Sequence, residues 1–428
     1  MTAIAAHADH PHPLCVDLDG TLIRSDLLLE SLLLLLKRNP LYLFRALGWL
    51  FQGKAAFKSQ IARRVELDPA TLPYDREFLS WLRVQRQTGR TLWLCTVSNE
   101  QLANRVAAHL NLFDGVVASN DAKDLASRDN EYLPSQRRPV RALCRALRPH
   151  QWVKNFLVLA PLLAAHHLTV AGSLVKGLLG VVAFCLCASS VYILNDLLDL
   201  NADRSHPRKS KRPFACGDLS IRTGLLLAPA LFFIAALLAV LLPERFIEVF
   251  ATYYLITIAY SLFLKGRVIV DALTLAGLYT LRVIAGAAAV SVPLSFWMLL
   301  FSVFLFLSLA FVKRFAELDA LRRQQRLNAV GRGYIVGDLT ILQSLGSAAG
   351  YLSVLVLALY INSPEIQSLY HQPKVIWMLC VLMLYWVSHI WMKAQRGEMY
   401  DDPVVFAFKD RTSIAVASVA ALTVLIAI

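Results

Sequence analysis

The residues with the clearest chemistry lie in the stretch NDLLDLNADRSHPRKSKRP, residues 195–213. It holds Asn195 and three carboxylates, Asp196, Asp199 and Asp203. On a helix, spacings of three and four place those carboxylates on one face over about two turns. Neighbouring carboxylates repel one another and are costly to desolvate near a bilayer. Mg²⁺ prefers oxygen ligands and commonly bridges carboxylates to phosphates, so we predict a Mg²⁺ site at these three residues.

Basic residues follow the carboxylates directly and supply charge for the phosphates of a diphosphate substrate. The predicted substrate-binding residues of this stretch are Asn195, His206, Lys209 and Arg212. The plainer interpretation is a solvated acidic helix end followed by an ordinary basic loop. The presence of Asn195 and His206 in the same stretch favours a site.

The composition places this stretch in a membrane protein. Of 428 residues, 57% are hydrophobic and 17% charged, which is too apolar for a soluble protein of this length. The net charge of +13 has two candidate causes, nucleic acid and the excess of basic residues in cytoplasmic loops. The basic residues cluster in particular loops, so we expect a membrane partner and no nucleic acid. Seven scattered cysteines do not indicate a disulfide or zinc framework.

Nine apolar stretches are long enough, or nearly so, to cross a bilayer. They are about 155–167, 174–194, 222–242, 246–264, 271–290, 294–312, 342–361, 374–393 and 411–428. The first is short, and we expect it to be broken or tilted. The basic loops follow the even-numbered stretches, which predicts a cytoplasmic N-terminus and a cytoplasmic acidic cluster in a bacterial-type plasma membrane.

A second group of candidate residues surrounds the later helices. Asp271 begins one predicted span after Lys265, and Tyr279 and Arg282 lie inside that span. A buried arginine in a membrane helix normally faces a partner or a cavity. Asp271 either joins Asp196 and Asp199 as a catalytic acid or simply favours the helix N-terminus.

Two further polar sets lie at span ends. Arg148, Lys154 and Asn155 precede the first span and are predicted to bind substrate. The set that includes Lys313 and Arg314 either belongs to the site or contacts anionic lipid.

The first 125 residues are more polar and read as a small α/β domain. LCVDLDGTLIRSD is a predicted strand followed by Asp17 and Asp19, and Thr96 ends a second strand, with Ser98 as the alternative. The DxDGT pattern resembles motif one of the haloacid dehalogenase (HAD) superfamily, in which a carboxylate attacks phosphorus.

The later lysine and acidic pair of a complete HAD phosphatase do not follow, so we predict a truncated domain without phosphatase activity. The apolar helical stretch after residue 25 is either a cap over this site or a membrane-surface element. We predict a linker at 126–142 and a transmembrane domain at 143–428.

NDxxDxxxD followed by HPxKxxRP, inside about nine apolar spans, resembles the UbiA prenyltransferase superfamily. The resemblance implies an all-α polytopic membrane domain with Mg²⁺ bound by two facing acidic helices. RPHQWVKN and YTLRVIAGA are most similar to its decaprenyl-phosphate phosphoribosyltransferase branch. Leu275 stands where the denser second motif of aromatic prenyltransferases has an acid, which also favours that branch.

That branch implies phosphoribose transfer from phosphoribosyl pyrophosphate, a phosphorylated co-substrate, to a polyprenyl phosphate. The alternatives are transfer of a prenyl group from prenyl diphosphate to an aromatic or other acceptor, and a non-enzymatic transporter or scaffold.

Overall fold

A computed structural model describes residues 13–96, 100–118, 139–167, 170–206, 208–325, 333–363, 370–399 and 402–428. The chain forms two compact units. Unit one comprises residues 1–147 and 192–230, and unit two comprises residues 148–191 and 231–428. The domain boundaries expected from the sequence, at 125 and 142, stay a prediction. Ser98 and most of the expected linker lie outside the described residues.

Unit one contains a parallel sheet of three strands in its described part. These are β1 (Leu14–Asp17), β2 (Leu92–Thr96) and β3 (Gly115–Ala118), in the order β1-β2-β3. Their inward residues, such as Val16 and Leu94, are buried, as continuous apolar strands of a parallel sheet require.

In its described residues, the N-terminal part of unit one contains six α-helices, of which α5 packs on β2 and β3. They are α1 (Leu27–Arg38), α2 (Tyr42–Phe51), α3 (Lys54–Ala62), α4 (Arg76–Gln87), α5 (Glu100–Leu110) and α6 (Pro139–Leu147). Asp26 caps α1 by accepting from the Leu29 N–H, and Asp75 caps α4. Such caps satisfy backbone N–H groups that a helix start leaves unpaired.

The acidic and basic stretch lies between two long apolar helices. These are α8 (Ser173–Leu198) and α10 (Ile221–Val240), after a short α7 (Ala160–Ala164) in unit two. Between them lie α9 (Leu200–Arg204) and a 3₁₀ turn at Lys209–Lys211.

Unit two is otherwise helical in its described part. Its remaining helices are α11 (Glu244–Ala259), α12 (Val270–Val290), α13 (Phe296–Arg323), α14 (Leu339–Ile361), α15 (Pro373–Ile376), α16 (Met378–Gln395), α17 (Pro403–Ala407) and α18 (Arg411–Ala427). A π-helical turn, Tyr260–Leu264, extends α11, and a 3₁₀ turn, Val336–Asp338, precedes α14.

Seven helical segments in the described part of the chain are long and apolar enough to cross a membrane. They are Ser173–Leu198, Ile221–Val240, Glu244–Leu264, Val270–Val290, Phe296–Arg323, Val336–Ile361 and Pro373–Gln395. They coincide with the second to eighth predicted spans. The ninth is the shorter apolar helix α18. The predicted fold class, a helical membrane domain after a small α/β part, is confirmed.

The first predicted span is not one long helix. It consists of a 3₁₀ helix, Pro149–Leu159, followed by the five-residue α7. Pro161 lies in the first turn of α7, where a missing N–H costs least. Gly286 of α12 approaches this segment so closely that a Cβ there would lie 1.9 Å from the Val158 carbonyl oxygen. The broken span expected from the sequence is therefore packed directly on a helix backbone.

Candidate active site

Two of the three predicted metal ligands converge on one cation in unit one. Asp196 lies in the last turn of α8 and Asp203 lies in α9, and both residues are 2% exposed. Nη1 of Arg212 donates to Oδ1 of Asp196 at 3.1 Å and to Oδ2 of Asp203 at 2.6 Å. The guanidinium is more open, with 27% of its side chain exposed. Two buried carboxylates thus both pair with one partly exposed guanidinium, that of Arg212.

Asp199 departs from the expected continuous helix face. Its backbone, at φ −104° and ψ 15°, separates α8 from α9. Its carboxylate pairs with Lys37 of α1 at 2.7 Å, whereas Asp196 and Asp203 pair with Arg212. The helix is distorted at Asp199, although the backbone hydrogen bonds from Asp199 to Asn195 and from Asp203 to Asp199 are kept, and the role of Asp199 as a third metal ligand stays a prediction.

The donor set at Arg212 suits Mg²⁺. Among the described residues no group of three or more His, Cys, Asp or Glu side chains is arranged to hold a metal ion. Asp196 and Asp203 nevertheless direct one carboxylate oxygen each to a common point. Mg²⁺ is commonly held by one or two carboxylates, with waters and substrate phosphates as its other ligands. These two residues fit such an ion if Arg212 withdraws.

His206 organises the basic loop after α9. Its Nδ1 accepts hydrogen bonds from the backbone N–H groups of Arg208 at 3.2 Å and Lys209 at 3.4 Å. Burial, together with the nearby Lys209, lowers the pKa of His206 below its ordinary value. The neutral ring therefore holds the start of the Lys209–Lys211 turn. Asn195, also predicted to bind substrate, accepts the Asp199 N–H with its backbone carbonyl.

Arg204 ties the acidic stretch to α1 within unit one. Its guanidinium donates to both carboxylate oxygens of Glu30, with Nη2 to Oε2 at 3.0 Å, and Ser25 Oγ donates to Oε2 at 2.8 Å. The Arg204 and Glu30 side chains are 6% and 2% exposed. Sequence reasoning missed Glu30 and Lys37, since nothing in an apolar leucine-rich helix signals pairing with residues far along the chain.

Unit two contains a cluster in which two lysines surround one carboxylate, that of Asp402, just before α17. Oδ2 of Asp402 lies 2.8 Å from Lys154 Nζ and 3.0 Å from Lys313 Nζ. Tyr279 donates its hydroxyl to Oδ1 at 2.9 Å. Burial raises the pKa of Asp402, but Lys313 and Lys154 outweigh that effect and hold it well below its usual range. Burial lowers the pKa of Lys154, because it disfavours the charged ammonium.

Arg282 and Asn155 extend this cluster. Nε of Arg282 donates to Asn155 Oδ1 at 2.9 Å, and Nη2 donates to the Tyr253 hydroxyl at 2.7 Å. The guanidinium also lies 5.4 Å from the centre of the Tyr279 ring. Four residues predicted from sequence to bind substrate, Lys154, Asn155, Tyr279 and Arg282, are therefore brought together. The sequence analysis missed Asp402 and Tyr253.

Asp271, the third predicted catalytic acid, is fully buried at the start of α12. Arg314 binds both of its oxygens, through Nε to Oδ2 and through Nη2 to Oδ1 at 3.0 Å. Tyr260 donates to Oδ1 at 2.7 Å, and Arg314 also pairs with Glu317. Because Asp271 and Asp196 belong to different units, their predicted meeting at one metal stays a prediction.

The remaining predicted residues lie at element ends. Arg148 has a left-handed backbone, φ 52°, directly before the 3₁₀ helix of unit two. Lys265 follows the π-helical turn. In unit one, Asp17 and Thr96 end the adjacent parallel strands β1 and β2, and Asp19 accepts the Leu27 N–H with its carboxylate at 3.0 Å. Whether these three derive from a HAD-like site stays a prediction.

Comparison with known proteins places these clusters in a family context. Residues 156–409 match the UbiA prenyltransferase family. The Uncharacterized protein y4nM of Sinorhizobium fredii is 31% identical over 95% of this chain and 89% of its own length.

A decaprenyl-phosphate phosphoribosyltransferase of Mycolicibacterium smegmatis is 38% identical, over 43% of this chain and 59% of that enzyme. A UbiA homolog of Archaeoglobus fulgidus, solved bound to GPP and Mg²⁺, has the same fold, with a TM-score of 0.52 at 18% identity. That likeness covers 66% of this chain and 99% of the homolog.

Proposed function

Since the chain belongs to the UbiA prenyltransferase family, we propose that it transfers phosphoribose from phosphoribosyl pyrophosphate to a polyprenyl phosphate. Family membership makes it an integral membrane enzyme of the UbiA superfamily, as the sequence motifs predicted. The non-enzymatic alternative, a transporter or scaffold, is therefore not retained. The relative from Mycolicibacterium smegmatis supports the choice of substrates, because its name describes this transfer.

The observation that carries the proposal is the state of Asp271. Two nitrogens of Arg314 and the hydroxyl of Tyr260 occupy its carboxylate, and Leu275 stands one helical turn further on. A second acidic helix able to hold metal is what the family resemblance implies for prenyl diphosphate. Asp271 is already paired with the buried Arg314, so we expect metal binding at the acidic cluster of unit one alone. That arrangement favours a reaction in which the lipid phosphate is the acceptor and not the donor.

The acidic cluster would hold the leaving group. Asp196 and Asp203 would bind Mg²⁺, which supplies positive charge to the departing pyrophosphate. Arg212 is bonded to both carboxylates and is 27% exposed, so its side chain is able to turn from them to a phosphate oxygen. Lys209 and His206 lie on the same loop and bring further polar groups to the pyrophosphate.

The cluster around Asp402 would hold another phosphate. Lys154 and Lys313 carry two positive charges against one carboxylate, and Arg282 adds a third cation nearby. An anion placed there gains charge-assisted hydrogen bonds. The lipid phosphate is already a charged nucleophile, so the reaction does not need a strong base. Holding the two anionic substrates in the correct orientation should contribute more to the rate.

The reaction balances without a redox partner. A phosphate oxygen of the lipid forms a bond to C1 of the ribose. The bond between C1 and the pyrophosphate oxygen breaks, and pyrophosphate leaves with the bonding electrons. No proton needs to be removed from an ionised phosphate.

A substrate-competition assay tests the proposal with purified, reconstituted protein and Mg²⁺. Radiolabel from phosphoribosyl pyrophosphate should enter an organic-soluble product when polyprenyl phosphate is present. Asp196→Asn should reduce this label transfer about 10³-fold, whereas Asp218→Asn, which removes a partly exposed carboxylate of the same unit, should leave it unchanged. Consumption of a prenyl diphosphate with an aromatic acceptor, and no label transfer with several lipid phosphates, would instead establish prenyl transfer.

A further inference from the structure

Helix α2 has an apolar face that the described part of unit one leaves exposed. Residues spaced by three and four, Tyr42, Ala46 and Trp49, turn toward the core: Ala46 is 5% exposed, and the two aromatic rings pack against the buried cluster. This stripe is what an amphipathic helix needs to attach to its domain.

The opposite side of α2 is apolar as well. The exposed large apolar residues of α2 and its flank are Leu41, Leu43, Phe44, Leu47, Leu50 and Phe51. Phe44 is 72% exposed and Phe51 is 91% exposed. A helix at a water-facing surface normally carries polar residues there. This surface is therefore built for an apolar environment.

The charges around α2 are all positive. Between Glu30 and Glu66 the sequence contains no acidic residue, and its cations are Lys37, Arg38, Arg45, Lys54, Lys58, Arg63 and Arg64. The Arg45 guanidinium lies 5.3 Å from the Tyr42 ring, and that of Arg64 lies 4.8 Å from the Trp49 ring. Cations thus flank the apolar face on the inner side of the helix.

We propose that α2 is an interfacial helix that lies in the surface of an anionic phospholipid bilayer. Its exposed leucines and phenylalanines enter the region between headgroups and acyl chains, and the flanking arginines contact lipid phosphates. Apolar residues alone would suit another protein equally well. The absence of acidic residues over this stretch favours anionic lipid, and the membrane helices already hold the chain at a bilayer.

Site-directed spin labelling of the full-length protein tests this inference. Phe44→Cys and Phe51→Cys are labelled with a nitroxide in nanodiscs that hold one copy each, in a background carrying Cys144→Ser to remove the exposed native cysteine. Gln87→Cys, at the exposed end of α4, is the matched control. Oxygen collisions should dominate at 44 and 51, and collisions with a water-soluble nickel chelate should dominate at 87.

Lipid composition separates the two parts of the proposal. In discs of phosphatidylcholine alone, the labels at 44 and 51 should become more accessible to nickel than in discs containing phosphatidylglycerol. Changing Arg45, Arg63 and Arg64 together to glutamine should remove that difference. Nickel accessibility at 44 and 51 equal to that at 87 in anionic discs would overturn the inference. Dipolar broadening that appears only with two copies per disc would assign the face to a second copy instead.

Discussion

The charged clusters of the two units are opposites. In unit one, two buried carboxylates, Asp196 and Asp203, both pair with Arg212. In unit two, two lysines, Lys154 and Lys313, share the single carboxylate Asp402. In these contacts carboxylates outnumber the cation in unit one, and cations outnumber the carboxylate in unit two.

This difference indicates what each cluster is suited to bind. Buried charge is stable only when it is compensated, so the first cluster favours an added cation and the second favours an added anion. Asp271 differs from both clusters in its contacts, because Arg314 binds both of its carboxylate oxygens and Tyr260 donates a further hydrogen bond to Oδ1.

The largest effect should follow from Asp196→Asn. Removing one carboxylate leaves Arg212 paired with Asp203 and takes away the excess negative charge that attracts the metal. We expect kcat for label transfer to fall about 10³-fold, in the range seen when a group that stabilises transition-state charge is lost. Activity measured across Mg²⁺ concentrations checks this. Full activity that stays dependent on Mg²⁺ would remove Asp196 from the site.

Asp402→Asn should have the next largest effect: it should lower the stability of the folded protein and strengthen the binding of pyrophosphate. The two lysines lose their counter-charge, which we expect to lower the free energy of unfolding by about 3 kcal/mol. The freed cations should bind pyrophosphate more tightly, so added pyrophosphate should raise the melting temperature more than it does for the unchanged protein. Transfer should fall about tenfold as product leaves slowly.

Lys154→Gln is the control for Asp402, because it removes one cation from the same cluster and should weaken the effect of pyrophosphate. Equal pyrophosphate stabilisation in Asp402→Asn, Lys154→Gln and the unchanged protein would mean that the second cluster is structural only.

Acid should weaken the first cluster through His206. The pKa of His206 is lowered in the folded loop, so an unfolded loop takes up a proton near the ordinary 6.5 and the folded loop does so only at lower pH. The stability contributed by this group is fully present above about 6.5 and is lost as pH falls from there toward the lower pKa of the folded loop. We expect roughly a tenfold loss of transfer at the acid end.

A pH–rate profile measures this loss, and His206→Asn should flatten its acid limb. His109→Asn, at an exposed position of the same unit, should leave the profile unchanged. An acid limb that persists in His206→Asn would mean that another group titrates.

The smallest effect on rate should come from Glu30→Gln. This change leaves Arg204 partly unpaired and lets the acidic stretch shift, and we expect kcat to fall about threefold to tenfold with little change in KM. Asp26→Asn is the matched control, since its partner Arg222 is 76% exposed and such surface pairs contribute little. A double-mutant cycle with Arg204→Gln should show coupling for Glu30 and none for Asp26.

The membrane helices were predictable because their apolar runs are continuous and fix both length and type. The residues around Asp402 were only half predictable. Lys154, Asn155, Tyr279 and Arg282 stood out as polar groups in apolar surroundings, whereas Asp402 lies in a polar loop where an acid is ordinary. Its bond to Tyr279 joins positions 123 residues apart, and no local pattern encodes such a contact.

In the acidic stretch, too, contacts between residues far apart in the chain were not predictable. The spacing of its carboxylates was visible in the sequence, but their contacts with α1 were not. Lys37 of α1 pairs with Asp199, and Arg204 donates to Glu30, 174 residues away in the chain. The interruption at Asp199 was also not predictable, because helical spacing continues through it. For the first span, the short length predicted a broken or tilted helix but did not predict the 3₁₀ form.

The buried Arg204–Glu30 pair attaches the proposed acidic site to helix α1, so the N-terminal α/β part would support residues that lie much later in the chain. A protease that cuts within α1, or mild heat that melts the small sheet, would loosen the acidic stretch while the apolar helices stayed intact. The enzyme would then lose turnover before it lost its place in the membrane, and a shortened chain beginning near residue 148 would insert normally yet work poorly.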